Sequence, residues 1–149
     1  MTTDEYHYTE CGIDYIYLVD GYEFVDTPQG RQVVVQNIDG LHAAIGKFLV
    51  NHKKDLTGDD VRFLRHEMLM SQATLAKLLD VGEQTVHRWE TGKTEASKPA
   101  SALIRLLYRE QNGGNKEIQG SLKRIADLED EIDETLRLME TNEGWKTAA

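Results

Sequence analysis

The sequence predicts an α+β chain in three parts. These are a small β-β-β-α segment over residues 1–55, an all-α block over 56–111 and a long amphipathic helix over 112–149. Three observations predict it. Residues 12–36 alternate runs rich in β-branched and aromatic side chains with turn-forming Gly and Pro. From Val61 to Leu107 apolar residues recur at helical spacing between capping residues. Beyond Gly113-Gly114 the apolar residues follow a 4-3 spacing.

In the first part, GIDYIYLV reads as a strand. Asp20-Gly21 is a dipeptide that favours a two-residue hairpin turn, and YEFV returns from it. Pro28 to Gly30 punctuates, and RQVVVQ reads as the third strand. Asp39 can cap a helix that carries Leu41, Ile45, Phe48 and Leu49 on one face. Tyr8, Tyr15, Tyr17 and Tyr22 suit sheet packing, or else a binding surface. In the middle part, Thr57 caps a helix whose Asp59 and Asp60 favour its N-terminal dipole, with Val61, Leu64 and Met68 inside. Ser71 caps the next helix. Pro99 starts a further one with Leu103, Leu106 and Leu107 as its apolar face. In the last part, Ile118, Leu122, Ile125, Ile132, Leu136 and Met139 keep a heptad register, and Glu129 interrupts it. That pattern fits a coiled-coil dimer, or a single helix packed on its own chain. LEDEIDE reads as a solvated acidic face or a surface for a basic partner.

Charge is unevenly spread over the chain's formal −9. Residues 1–55 hold 4 basic and 9 acidic residues, residues 56–111 hold 8 and 8, and residues 112–149 hold 5 and 9. The middle part is the least repelled by a polyanion, so the acidity opposes general DNA coating without opposing sequence-specific docking. No apolar run approaches the roughly 20 residues of a membrane helix, and MTTDEYHYTE lacks a signal peptide's basic and apolar regions. The expectation is a cytoplasmic protein without a membrane role.

The functional signal is SQATLAKLLDVGEQTVHRWETGK, which has the shape of two helices joined by a tight turn. Leu75, Leu79, Val81, Val86 and Trp89 would pin the helices together, Ala76 is small at their crossing, and Asp80 and Gly82 are turn formers. Glu83, Gln84, Thr85, His87 and Arg88 are left outward on the second helix. A varied polar face at the start of a short helix is what reading the major groove requires.

At these residues the chain resembles a known family. LTGDDVRFLRHEMLMSQATLAKLLDVGEQTVHRWETGKTEASKPASALIRLLYRE is similar to the Xre-type helix-turn-helix domain, in the version found in MqsA-type antitoxins and related regulators. The resemblance covers about 55 of the 149 residues. It departs from the pattern at Asp80, where glycine is usual, and in lacking the zinc-binding cysteines of the antitoxin's N-terminal domain. The resemblance implies that Gln72 contacts phosphate and braces the reading helix. It places Gln84 and Arg88 at base-reading positions, where Gln pairs with adenine and Arg with guanine. Thr85 would touch a thymine methyl or a phosphate, and Lys93 the DNA backbone. Glu83 either accepts from cytosine N4 or only complements its helix dipole. His87 either reaches a phosphate or stays solvated. Trp89 reads as core, and Glu90 would pair with Arg65. Bacterial or phage origin is implied as well.

Nothing in the sequence supports catalysis. The phosphate-binding, serine-hydrolase and zinc-protease motifs are missing, Cys11 is the single cysteine, and His7 with Cys11 makes a poor metal site. No enzyme activity, metal or cofactor is expected. The function expected is a sequence-specific DNA-binding transcriptional regulator, a repressor, bound to double-stranded operator DNA. One such helix reads few base pairs, so a homodimer on an inverted repeat is expected, its two-fold contact supplied by the C-terminal heptads or by the small N-terminal domain over 1–55, which serves dimerisation or the binding of a partner or ligand. The alternative is an antitoxin that autoregulates its operon while its acidic parts mask a basic toxin protein.

Overall fold

The computed structural model describes residues 5–113, 117–126 and 135–148. The chain begins with two β-hairpins rather than a three-stranded sheet. β1 (Tyr6–Tyr8) pairs antiparallel with β2 (Ile16–Leu18), and β3 (Tyr22–Thr27) pairs antiparallel with β4 (Gly30–Val35). The expected hairpin turn at Asp20-Gly21 is therefore a link between hairpins. β2 turns back on a strand, Tyr6–Tyr8, that is too short to show a period-2 pattern. The turn between β1 and β2 closes with Gly12 N–H donating to the Thr9 carbonyl at 2.9 Å. It buries Ile13 completely and seats Tyr8 at 2 % exposure.

Helix α1 (Ile38–Asn51) is capped by Asn37, not by Asp39. The Asn37 side chain accepts from Gly40 N–H at 3.2 Å, and its left-handed backbone is one that Asn tolerates. Asp39 sits within the first turn. Of the expected apolar face, Ile45 and Leu49 are buried, while Phe48 remains 47 % exposed. The last turn of α1 has no basic residue of its own. Arg105 and Arg109 supply the positive charge from another helix. Arg105 donates to the carbonyls of Leu49 (2.6 Å) and Lys54 (3.1 Å), and Arg109 to that of Val50 (2.8 Å).

The middle of the chain is helical as expected: α2 (Gly58–Glu67), α3 (Gln72–Leu79), α4 (Glu83–Glu90) and α5 (Lys98–Asn112). Thr57, Ser71 and Ser97 cap α2, α3 and α5. Val61, Leu64 and Met68 are buried. On α5, Leu107 is buried but Leu106 is 40 % exposed, and Ile104 takes the fully buried place instead. Asp60 does more than favour a dipole. It closes a capping box with Thr57, is wholly buried, and accepts from Tyr15 Oη (2.6 Å) and Lys53 Nζ (2.5 Å). Burial and the adjacent Asp60 carboxylate push the Tyr15 phenol well above its ordinary range. Tyr8, His42 and Glu67 make a second link between the strands and α2. Tyr8 Oη lies 2.8 Å from His42 Nε2, and His42 Nδ1 lies 3.3 Å from Glu67 Oε2. One apolar cluster runs from Tyr8 to Tyr108, across the boundary drawn from the sequence near residue 55.

Three successive helices end in the same way. Leu69, Asp80 and Gly92 each adopt positive φ, and in each case the next residue's N–H returns to the carbonyl five back. Only Gly92 is the residue this conformation favours. Leu69 is 90 % exposed, so its side chain returns little packing for the strain of a left-handed L-residue. Leu69→Gly is expected to raise stability by about 0.5–1 kcal/mol, less than the full relief of strain because glycine frees the unfolded chain. The urea midpoint should rise; an unchanged or lower midpoint would mean that Leu69 makes a stabilising contact.

The third part departs most from expectation. Helix α6 (Glu117–Ala126) packs against α3 and α5, with Gln119 N–H donating to Glu110 Oε1 at 2.8 Å and Leu122 partly buried. The helix expected over 112–149 gives way to strands before its end. β5 (Leu138–Thr141) and β6 (Gly144–Thr147) form a third hairpin, so Leu136 and Met139 are not on a coiled-coil seam. Thr141 Oγ1 donates to the Gly144 carbonyl at 2.8 Å and accepts from Glu143 N–H at 3.2 Å. Thr27 and Gly30 close the β3–β4 turn with the same two bonds. The helical period at Leu136 and Met139 was coincidental, and the local Thr-x-x-Gly turn prevails. Glu129, Ile132, the run LEDEIDE and the side chain of Ile118 lie outside the described residues. No helix among the described residues is long and apolar enough to cross a membrane.

Candidate nucleic-acid interface

The site is built on α4. Gly82 precedes it in extended conformation, and Val86 (0 % exposed) and Trp89 (5 %) anchor its inner face against α2 and α3. Leu75, Ala76 and Leu79 of α3 are buried opposite them. This inner packing leaves Glu83, Gln84, His87 and Arg88 exposed, with Thr85 half-buried at the edge of the row. The apolar positions leave the polar ones outward because 3.6 residues make a turn.

The far end of α4 is held by charge. Arg65 of α2 grips Glu90 through two bonds, Nε to Oε2 at 2.7 Å and Nη2 to Oε1 at 2.8 Å. Its Nη1 donates to the Met70 carbonyl at 2.9 Å. Gln72 Nε2 also donates to Glu90 Oε1, at 3.1 Å. Burial alone would raise the Glu90 carboxyl. The bonds from Arg65 and Gln72, with the charge of Arg65, outweigh burial and hold it below the ordinary glutamate range. The Arg65–Glu90 pair implied by the resemblance is thus present and bidentate.

Gln72, the first residue of α3, is brought to this pair, and so braces α4 through Glu90. Lys93 lies in the turn after α4, exposed, with its backbone N–H on the Arg88 carbonyl at 3.0 Å. The seven residues singled out from the sequence therefore fall on three adjoining pieces: the start of α3, the outer row of α4 and the turn that follows it.

Gly58 is a positioning residue that sequence reasoning missed. A Cβ there would lie 2.1 Å from the Trp89 carbonyl oxygen and 3.0 Å from that of Glu90. The start of α2 thus abuts the end of α4, with positive helix end against negative. Nothing local in LTGDD marks this glycine, because its neighbour is about 30 residues away along the chain. His7 Nε2 is bonded to the Asp14 carbonyl at 2.6 Å, and burial pushes the Cys11 thiol up, away from the reactive thiolate.

Comparison with curated proteins gives no match. Residues 61–104, from α2 into α5, match the family model described as Helix-turn-helix. The match begins within the helix that carries Arg65 and spans the whole α3–turn–α4 unit. Residues 61–104 are thus similar to the helix-turn-helix domain of the Xre type, a domain found in DNA-binding regulators.

Proposed function

We propose that the chain is a sequence-specific transcriptional regulator that represses by binding an inverted repeat as a homodimer. The observation that carries this reading is the row Glu83, Gln84, His87 and Arg88, exposed on a helix whose inner face is locked by Val86, Trp89 and the Arg65–Glu90 pair. In this reading Gln84 and Arg88 meet base edges in the major groove. Thr85 contacts a thymine methyl or a phosphate, and His87 a neighbouring phosphate. Gln72 meets a phosphate at the positive end of α3. Lys93 neutralises a further phosphate. Glu83 complements the positive end of α4 and discourages bases other than cytosine at its position.

Operator DNA selected with the purified protein tests this directly. Arg88→Ala is expected to cost about 1–3 kcal/mol in operator binding and to relax preference at one base pair. Lys93→Ala should weaken all sequences alike and reduce the salt slope by about one ion. Wild-type operator affinity in Arg88→Ala would refute the docking.

The antitoxin reading is the alternative. The β5–β6 hairpin favours it, with Trp145 68 % and Leu138 51 % exposed beside Glu140 and Glu143. Such a tip offers apolar and acidic contacts to a basic protein. Co-purification of a small basic polypeptide encoded next to this chain would favour it over the simple regulator.

A further inference from the structure

The longest ribbon of the fold is left with open edges. β3 and β4 pair from Tyr22 with Val35 to Thr27 with Gly30, and no third strand lies beside them among the described residues. A two-stranded ribbon is marginal in water by itself, and an uncovered apolar edge is a template for another strand. Phe24, Val25 and Val34 are 47 %, 40 % and 45 % exposed on it.

The ladder shows which backbone groups are open. Gln36 N–H donates to the Gly21 carbonyl at 2.8 Å just beyond the ribbon. Inward and outward pairs alternate along an antiparallel ladder. Gln32 and Val34 therefore turn their N–H and C=O groups to β3, while Arg31, Val33 and Val35 turn theirs to the outer edge. On β3 the outward residues include Phe24 and Asp26.

Charge separates the two edges. The chain as a whole is at −9, so two copies repel unless they meet on an acid-free stretch. β3 carries Glu23 and Asp26, which would put carboxylates from both chains into one seam. β4, GRQVVV, has no acidic residue. Laid antiparallel on its own copy about Val33, it sets Arg31 opposite the copy's Val35 and Gln32 opposite its Val34. The two arginines fall at opposite ends. In that register every outward N–H and C=O from Arg31 to Val35 finds a partner.

We propose that β4 is the homodimer seam, pairing with β4 of a second copy about a two-fold axis at Val33 to close a four-stranded sheet across two chains. The proposal rests on the inverted-repeat reading only for the use to which the dimer is put.

Sedimentation equilibrium of the full chain tests it. Wild type is expected to dimerise. Val33→Pro removes one outward N–H and leaves the ladder to β3 intact, so it should be a folded monomer with a wild-type-like circular dichroism spectrum. Should that variant fail to fold, Val33→Cys in a Cys11→Ser background replaces it. Its thiol meets its own copy at a hydrogen-bonded pair, about 5.5 Å between Cα atoms, and should crosslink to a covalent dimer on oxidation. Val25→Cys in the same background should not. A folded Val33→Pro that stays dimeric, a wild type monomeric at every concentration, or crosslinking as fast at residue 25 as at 33 overturns the seam. The DNA reading fails separately. Crosslinking at residue 33 in a protein that shifts no DNA supports the seam and rejects the regulator, whereas a Val33→Pro monomer that still binds a single half-site supports both.

Discussion

Arg65→Met is expected to destabilise the protein by about 3–5 kcal/mol, because it strands a buried carboxylate. Glu90 is 3 % exposed at its side chain, and Arg65 supplies two of the bonds that hold it. For a chain of this size the melting temperature should fall on the order of 10 °C. Replacing both partners with apolar residues should recover much of the loss, since the cost lies in the orphaned charge.

The pH dependence sharpens the test. The folded Glu90 carboxyl sits below its ordinary value, so its stabilising contribution is present above the unfolded value of about 4.3. It is lost as pH falls through the folded value. In Arg65→Met the buried carboxyl loses both arginine bonds and the arginine charge, so burial pushes it up instead and its penalty fades as acid protonates it. The stability gap between wild type and variant should therefore narrow on acidification below about pH 5. Melting curves from pH 7 to 4 measure this; a gap that stays constant would mean the pair is not what holds Glu90.

Gly58→Ala is expected to cost about 2–3 kcal/mol and to weaken operator binding as well. The added methyl would meet backbone, the Trp89 carbonyl at 2.1 Å, which cannot swing aside like a side chain. Either the first turn of α2 opens or the end of α4 moves, and the second outcome displaces the reading row. Gly82→Ala is the control. Gly82 sits in an extended conformation, and an added Cβ would meet Thr85 Oγ1 at ordinary contact distance (3.8 Å). Its cost should stay below about 1 kcal/mol. Equal stability of the two variants would show that the α2–α4 approach is slack.

Legibility in the sequence followed the range of the interaction. Thr57, Ser71 and Asp80 were readable because a cap or a left-handed turn depends on residues within four positions. The buried Leu75, Val86 and Trp89 were readable from helical period, and so by subtraction was the outward row. Asn37 was passed over for Asp39 because both are good caps and the choice lies in the incoming backbone, which leaves β4 left-handed. Tyr6–Tyr8 was missed because three residues show no period. Leu136 and Met139 were misassigned because a 4-3 spacing also arises by chance where a Thr-x-x-Gly turn makes a hairpin.

By itself the sequence determined the helix-turn-helix, its caps and its inner and outer faces; the Arg65–Glu90 partnership came only through the resemblance. Each of these follows from local geometry or from a dense motif. Only the tertiary structure decided that Asp60 anchors Tyr15 and Lys53, that Gly58 must be small against Trp89, and that α5 arginines cap α1. Those contacts join residues far apart in the chain, and steric fit and buried hydrogen bonds leave no periodic trace in the sequence.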